Sequence, residues 1–209
     1  MQQETVILIH GLYTHGVVMG WLARELRRTG YRPLFFSYPS VRRTPQENAR
    51  VLEKQMLRVK TPVAHLLAHS LGGLLVRHLF ALGGRLPPGR VVTLGTPHQG
   101  SRIARTLSAG GLRFMLGHSV IGGLLDGAPP WSGERELGSL AGTVNMGLGR
   151  LVTRLPDPAD GSVTVAETRL PGMADHICLP VSHTTMLFAP AVAAQVCAFF
   201  AGGRFRHAD

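Results

Sequence analysis

The chain has 209 residues, of which 44% are apolar and 26 are glycine. This length fits one domain with a substantial core, and the composition excludes disordered and fibrous proteins. No apolar run approaches the roughly 20 residues that a membrane-spanning helix needs. The first residues lack the basic region of a signal peptide, so we expect a cytoplasmic protein.

The charge of the chain is strongly positive. Lys and Arg number 22 against 12 acidic residues, which gives a formal net charge of +10. A solvated basic surface is the simplest explanation, and attraction to anionic lipid head groups or acidic substrates is the main alternative. No nucleic-acid recognition motif or basic-aromatic platform is present, so nucleic acid is not an expected partner.

The cysteine and histidine content argues against cross-links and metals. Cys178 and Cys197 are the two cysteines, and without an export signal we expect reduced thiols in apolar surroundings. No Cys/His cluster has the spacing of a zinc site, and no multi-carboxylate calcium site is evident. We therefore expect neither a metal nor another cofactor.

Hydrophobic periodicity predicts alternating strands and helices along most of the chain. Short apolar runs predict strands at residues 5–9, 33–37, 63–68, 90–94, 138–145 and 176–181. Helical spacing predicts helices at residues 17–29, 71–82 and 184–200, the last interrupted at Pro190. A capping box at residues 44–47 opens a further helix that runs towards residue 59. This alternation predicts a mostly parallel sheet with helices on both faces.

Residues 107–131 interrupt the alternation. The stretch is glycine-rich and apolar, and Pro129 and Pro130 close it. Two interpretations fit equally well: a small lid over one edge of the sheet, or an ordinary helical connection packed on the core. No linker or internal repeat divides the chain, so we expect one domain over residues 1–209.

A serine lies where the third predicted strand meets the following helix. Ser70 stands between Ala68-His69 and Leu71-Gly72. Small residues two positions either side of a serine allow the sharp strand-to-helix turn that exposes a nucleophilic hydroxyl. We expect Ser70 to be the nucleophile, and the backbone N–H of Leu71 to bind an oxyanion.

A serine nucleophile needs a base and a carboxylate that orients the base. His183 follows the last predicted strand, where a loop at the carboxyl edge of the sheet can bring it to Ser70. Asp160, followed by Gly161 in a predicted turn, is the preferred acid, and Asp157 and Asp175 are the alternatives. The chain order is then Ser, Asp, His, as in α/β-hydrolases.

The loop after the first strand is the expected source of a second oxyanion donor. In this prediction the N–H groups of Leu12 and Leu71 bind the same oxyanion. His10 braces the loop and does not transfer protons. The residues expected to line the substrate site are His10, Gly11, His69, Thr96 and Pro97. Ser119 lies in a similar pattern, but Ile121 occupies a position that requires a small residue, so we reject it as nucleophile.

Four blocks together carry a family resemblance. They are residues 6–11 (VILIHG), 68–73 (AHSLGG), 93–101 (TLGTPHQGS) and 160–163 (DGSV), the last followed by His183. On these blocks the chain resembles bacterial α/β-hydrolases of the lipase/esterase type. The resemblance implies the α/β-hydrolase fold with a small or minimal lid. It also implies hydrolysis of carboxylic esters through an acyl-enzyme, with Ser70, Asp160 and His183 as the triad.

The sequence departs from that family in two respects. Ala68 replaces the commoner glycine, and only residues 107–131 are left for a lid. Short or medium acyl esters are therefore the expected substrates. The alternatives are a phospholipid-directed lipase or acyltransferase at anionic membranes, a non-catalytic binding protein of this fold, and an interaction module that docks through residues 107–131.

Overall fold

The computed structural model describes residues 3–147, 149–156 and 158–207. The strands are β1 (Thr5–Ile9), β2 (Arg32–Phe36), β3 (Ala64–His69), β4 (Val91–Leu94), β5 (Leu137–Gly142) and β6 (Asp175–Leu179). The α-helices are α1 (Gly20–Arg28), α2 (Pro45–Arg58), α3 (Leu71–Ala81), α4 (Arg102–Ala109), α5 (Gly149–Val152) and α6 (Pro190–Gly202). The strands form one sheet in the order β2-β1-β3-β4-β5-β6, and every neighbouring pair is parallel. The predicted parallel sheet is confirmed.

Strand alternation builds a core on each face of the sheet, because successive side chains point to opposite sides. Ile7 and Ile9 of β1 pack with α2 and α3, whereas Val6 and Leu8 pack with α1 and α6. Every residue of β1 and β3 is buried, as expected for central parallel strands covered on both faces. All six strands end at the same edge of the sheet, which we call the carboxyl edge; the opposite one is the amino edge.

Several predicted boundaries need correction. The α-helix predicted from residue 17 begins at Gly20, and Gly16–Met19 form a 3₁₀ helix. The N–H of Gly16 is held by the Ser37 hydroxyl (3.0 Å), which ties this turn to the loop after β2. The helix predicted over 184–200 is a 3₁₀ turn (Thr185–Leu187) followed by α6, with Pro190 in its first turn, where proline is tolerated. The capping box of Thr44 and Glu47 is confirmed.

Residues 107–131 pack on the core instead of standing away from it. They begin in the last turn of α4, a helix that the periodicity did not predict, and contain a 3₁₀ segment at Arg113–Val120. The guanidinium of Arg77 donates to the carbonyls of His98, Ala128 and Pro129, which fixes the end of the stretch. The stretch also contributes four buried side chains to the core on the α2/α3 face: Leu116, Val120, Leu124 and Trp131. Its role as a lid stays a prediction.

Neither cysteine forms a disulfide. The expectation of apolar surroundings is wrong for Cys178, which is exposed because it lies on the edge strand β6. In the described ranges, no helix is long and apolar enough to cross a bilayer. No group of three or more His, Cys, Asp or Glu side chains within those same ranges is placed to hold a metal ion.

Candidate functional site

Ser70 occupies the turn between β3 and α3 in a strained backbone conformation. Its φ is 54° and its ψ is −123°, a region that non-glycine residues rarely adopt and that costs about 1–3 kcal/mol. The backbone around it is fixed by bonds to the neighbouring strand and loop. The N–H donates to the Leu94 carbonyl (2.8 Å), and the Ser70 carbonyl accepts from the Thr96 hydroxyl (2.8 Å). This arrangement presents one hydroxyl at the carboxyl edge.

Close packing at this turn explains the small residues around the serine. A Cβ added to Gly72 would lie 2.7 Å from the carbonyl oxygens of both Ile9 and His10. A Cβ on Gly11 would come within 3.0 Å of the Ser70 Cβ. The loop after β1 and the start of α3 therefore lie directly against each other, with the serine at their junction.

His183 forms a hydrogen-bonded pair with the buried Asp160. The Nδ1–H of His183 donates to Asp160 Oδ2 (2.7 Å), and the His183 backbone N–H donates to the Asp160 carbonyl (2.8 Å). The other carboxylate oxygen accepts the N–H groups of Ser162 (2.8 Å) and Val163 (2.7 Å). The Asp160 side chain is 1% exposed and that of His183 is 14% exposed. The carboxylate is thus fully engaged, and it fixes His183 in the tautomer that leaves Nε2 as the basic nitrogen.

The pair lies beside the serine turn. Gly95 follows Leu94, whose carbonyl accepts the Ser70 N–H. A Cβ added to Gly95 would lie 2.9 Å from both Asp160 Oδ2 and His183 Nδ1. Gly95 also has a φ of 54°, so the position requires glycine for two separate reasons. The Ser70 hydroxyl makes no hydrogen bond to His183 or to any other described residue. Bonds between a nucleophile and its base often tighten only when the substrate is bound.

The two alternative acids fare differently. Asp175 is the first residue of β6, so it lies at the amino edge. Its carboxylate accepts the N–H groups of His176 and Phe205 (2.8 Å each) and contacts His207 (3.0 Å). Asp157 lies outside the described residues. Among the described aspartates, Asp160 is the one that pairs with His183.

Two backbone amides lie next to this junction, because Leu12 follows Gly11 and Leu71 follows Ser70. Neither the N–H of Leu12 nor that of Leu71 donates a hydrogen bond within the described parts of the chain. Leu71 is the first residue of α3, where N–H groups lack an intrahelical partner. Neither amide is thus engaged by a described residue, and their role as oxyanion donors stays a prediction.

His10 braces the loop that carries Leu12. Its Nδ1–H donates to the Gly11 carbonyl (2.9 Å), and its Nε2 accepts the N–H of Tyr38 (3.1 Å). The Tyr38 hydroxyl donates to the His10 carbonyl (2.8 Å), and Ser40 Oγ accepts the N–H of Tyr13 (3.1 Å). Burial lowers the pKa of His10. Sequence reasoning missed Tyr38 and Ser40, because their contacts depend on how two loops meet in the fold.

His69 is also committed to a structural bond. Its Nε2–H donates to the His183 carbonyl (3.0 Å), and the two imidazole rings are 4.7 Å apart. The side chain is buried, and burial lowers its pKa to about 3. The side chain is directed toward the segment that carries His183. His69 is therefore neutral and has no free donor for a reaction.

The segment from Thr93 to His98 packs beneath the serine turn and supports its backbone. Thr96 and Pro97 are buried, and the Thr96 hydroxyl is used by the Ser70 carbonyl. His98 Nε2 contacts the Thr93 hydroxyl (3.1 Å), and burial lowers the pKa of His98 to about 3. Direct contact of a substrate with His10, Gly11, His69, Thr96 or Pro97 stays a prediction. The rejected Ser119 is fully buried, and its hydroxyl donates to the Leu116 carbonyl (2.6 Å).

No model of a known protein family matches the sequence, and no curated protein sequence matches it. Solved structures do match. The chain is similar to the mature form of the lipase BlEst2 from Bacillus licheniformis, with a TM-score of 0.70 and 20% identity, covering 96% of this chain and 91% of that one. It is also similar to the metagenomic carboxyl esterase MGS0156, with a TM-score of 0.71 and 17% identity, covering 89% and 66% of the two chains. A lipase-esterase related protein from Clostridium acetobutylicum gives a TM-score of 0.66 and 12% identity, covering 94% of each chain. These likenesses, with the six-stranded parallel sheet, establish the α/β-hydrolase fold.

Proposed function

We propose that the protein is a serine hydrolase of carboxylic esters that works through an acyl-enzyme. The observation that carries the proposal is the pair of His183 with the buried Asp160, beside a strained serine on a strand-to-helix turn. Such strain is retained where the surrounding structure enforces it, and it is concentrated at functional sites. Three side chains from different loops thus converge at one edge of the sheet.

His183 is the general base in this proposal. Asp160 holds the Nδ1–H, so Nε2 carries the lone pair that accepts the Ser70 proton. The buried carboxylate then stabilises the imidazolium that forms. His10, His69 and His98 are poor bases here, because burial lowers the pKa of each and backbone or hydroxyl groups already occupy ring nitrogens.

The oxyanion is bound by two backbone amides. When Ser70 Oγ attacks the ester carbonyl, negative charge develops on the carbonyl oxygen, and the N–H groups of Leu12 and Leu71 receive it. Preorganised donors of this kind each lower the barrier by about 3 kcal/mol. The bonds from His10 and Tyr38 hold the Leu12 loop in place before the substrate arrives.

The acyl-enzyme forms and breaks through the same imidazole. His183 gives its proton to the alcohol oxygen as the bond between acyl carbon and alcohol breaks, leaving the acyl group on Ser70 Oγ. Water then gives a proton to His183 Nε2 and attacks the acyl carbon, and the Ser70 oxygen recovers that proton as the acid leaves. No step in this scheme draws on a cofactor.

Short or medium acyl esters are the proposed substrates. Four side chains anchor residues 107–131 to the core, so little of the chain is left to form a deep cover for a long acyl chain. The names of the structural neighbours, a lipase and a carboxyl esterase, support an ester substrate.

Replacement of Ser70 by Ala tests the proposal. We expect Ser70→Ala to lower the turnover of p-nitrophenyl butyrate by at least about 10⁴-fold, because the nucleophile is lost. Ser119→Ala is the matched control and should keep its turnover, since that hydroxyl only donates to a backbone carbonyl. Circular dichroism confirms that both variants fold. Undiminished turnover by folded Ser70→Ala would refute the proposal.

A further inference from the structure

An exposed apolar cluster lies on the 3₁₀ segment after α4. The Phe114 side chain is 76% exposed, and Leu112 and Met115 beside it are also exposed. Large apolar side chains scattered singly on a surface need no explanation, but three within four residues form a patch. Such a patch indicates a surface that contacts something apolar.

The segment that carries this cluster is firmly attached. Leu116 and Val120 are buried in the core on the α2/α3 face. The N–H of His118 donates to the Val41 carbonyl (2.9 Å), and Gly117 packs closely against Val41. Phe114 and Met115 are therefore held outward by an anchored segment rather than exposed on a loose loop.

Three arginines lie close in sequence to the two segments that meet at Val41. Arg42 and Arg43 directly follow Val41, and Arg113 precedes Phe114; all three are exposed. None of them forms an ion pair with any residue that the structure describes, whereas Arg28 and Arg90 each pair with a glutamate. We call Leu112, Phe114, Met115, Arg42, Arg43 and Arg113 the basic apolar patch.

The patch lies at the carboxyl edge, the same edge of the sheet as Ser70. Residues 39–43 follow β2, and Ser40 in that loop binds the N–H of Tyr13 from the loop that carries Leu12. Tyr38, at the start of the same loop, stacks on His10 with ring centroids 4.3 Å apart. The loop that carries Arg42 and Arg43 thus contacts the loop that carries Leu12, and a surface bound at the patch would lie at the same edge as the site.

We propose that the basic apolar patch docks the protein onto an anionic lipid surface and presents the serine site to esters held there. The proposal rests on the proposed function for the nature of the substrate, but docking itself does not require turnover. Phe114, Met115 and Leu112 enter the boundary between head groups and acyl chains, while the three arginines contact anionic head groups. The net charge of +10 adds long-range attraction to the same surface.

A second copy of the chain fits this patch less well. The common symmetric dimer would place the same patch on both sides of the interface. Arg42, Arg43 and Arg113 would then face their own copies, and like charges at an interface are unfavourable. An anionic lipid surface satisfies both the apolar and the basic parts of the patch.

Vesicle co-sedimentation tests the docking. The probes are vesicles of ether-linked phosphatidylcholine alone, or mixed with ether-linked phosphatidylglycerol, because ether lipids cannot be hydrolysed as esters. We expect binding to the anionic vesicles that weakens as salt is raised. The triple variant Arg42→Gln/Arg43→Gln/Arg113→Gln should bind them about 100-fold more weakly. Phe114→Ser/Met115→Ser should bind at least about 10-fold more weakly.

Matched variants elsewhere on the surface control for charge and apolar area. Arg27→Gln/Arg32→Gln/Arg58→Gln removes three exposed arginines that also lack ion pairs among the described residues, but toward the amino edge. Val51→Ser/Leu57→Ser removes two exposed apolar side chains of α2. Both controls should bind vesicles within about threefold of the wild type, since long-range attraction through salt solution is weak.

Three results would each overturn the docking proposal. The first is equal binding to neutral and anionic vesicles, and the second is an equal loss of vesicle binding in the patch and control triple variants. The third is that Phe114→Ser/Met115→Ser dissociates a dimer and leaves vesicle binding intact. Turnover of p-nitrophenyl butyrate should be unchanged in all four variants, because none alters the serine site. A wild type that binds anionic vesicles but lacks this turnover would refute the proposed function and leave docking standing.

Discussion

The two ends of strand β3 are each associated with a histidine–carboxylate pair, in opposite settings. At the amino edge, His65 of β3 donates through Nε2–H to Glu4 (3.0 Å), whose side chain is 46% exposed. At the carboxyl edge, where Ser70 follows β3, His183 donates through Nδ1–H to the buried Asp160. The chemistry of the groups is the same, and their surroundings differ.

The difference lies in the second ring nitrogen. His65 Nδ1 accepts the N–H of Arg90 (2.9 Å), so both nitrogens of that imidazole are occupied. In His183 the nitrogen opposite the carboxylate makes no hydrogen bond among the described residues. A histidine–carboxylate pair can act as a base only when the far nitrogen is free and a nucleophile lies beside it. The comparison therefore supports the proposal that catalysis takes place at the carboxyl edge.

The largest expected contrast comes from neutralising each carboxylate in turn. Asp160→Asn should lower kcat for p-nitrophenyl butyrate by about 10⁴-fold, because an amide no longer holds the Nδ1–H tautomer or balances the imidazolium. Glu4→Gln should leave kcat within about twofold, since its histidine has no free nitrogen. Steady-state kinetics on both folded variants measures the contrast. Equal losses, or a loss in Glu4→Gln alone, would contradict the assignment.

A smaller effect is expected at His69, which holds the carbonyl of His183. His69→Leu removes one hydrogen bond of about 1 kcal/mol, and kcat should fall about 5-fold while KM stays constant. His69→Gln places an N–H near the original Nε2 and should restore most of the loss. The pH dependence of kcat should match that of the wild type in His69→Gln. It should differ from the wild type in His69→Leu, because His183 is less well placed there. A change in KM alone would indicate a substrate-contact role instead.

The last expected effect concerns stability against acid, and it leaves turnover near neutral pH unchanged. Burial lowers the pKa of His69 and His98 to about 3 and that of His176 to about 4. The unfolded chain binds protons at these histidines below about pH 6.5, while the folded chain does not. Each one should therefore reduce the free energy of unfolding by about 1.4 kcal/mol per pH unit from pH 6.5 down to its folded pKa.

Thermal unfolding between pH 8 and pH 5 measures this loss. The melting temperature should be level above pH 6.5 and fall below it. His98→Gln should reduce the slope, and His118→Gln should leave it unchanged, because the His118 side chain is exposed. A slope that is the same in His98→Gln and the wild type would show that the acid sensitivity has another origin.

Much of the fold could be predicted from the sequence because the relevant signals are local. All six strands were found within a few residues of their bounds, since apolar runs between turn residues are characteristic of buried strands. The helix α4 was missed although Ser101 caps it and Ile103 and Leu107 have helical spacing. That signal was present, but the glycine-rich sequence that follows obscured it.

The site was predictable to a more limited extent. A single rule predicts where Ser70, Asp160 and His183 lie: the loops at the carboxyl edge of a parallel sheet meet. That rule does not predict the orientation of His69 or the bracing by Tyr38 and Ser40, because these depend on the angle at which the loops pack. The same limit applies to the basic apolar patch, where Val41 and His118 meet from segments that no local pattern connects.

Reaction with a fluorophosphonate probe, followed by mass spectrometry of the digested protein, tests the assignment of Ser70 most directly. An activated serine attacks the probe and keeps a covalent phosphonyl group on its oxygen. We expect one adduct, on Ser70, that forms at the wild-type rate in Glu4→Gln and far more slowly in Asp160→Asn. An unmodified Ser70, or an adduct on Ser119 instead, would contradict a catalytic serine at this turn.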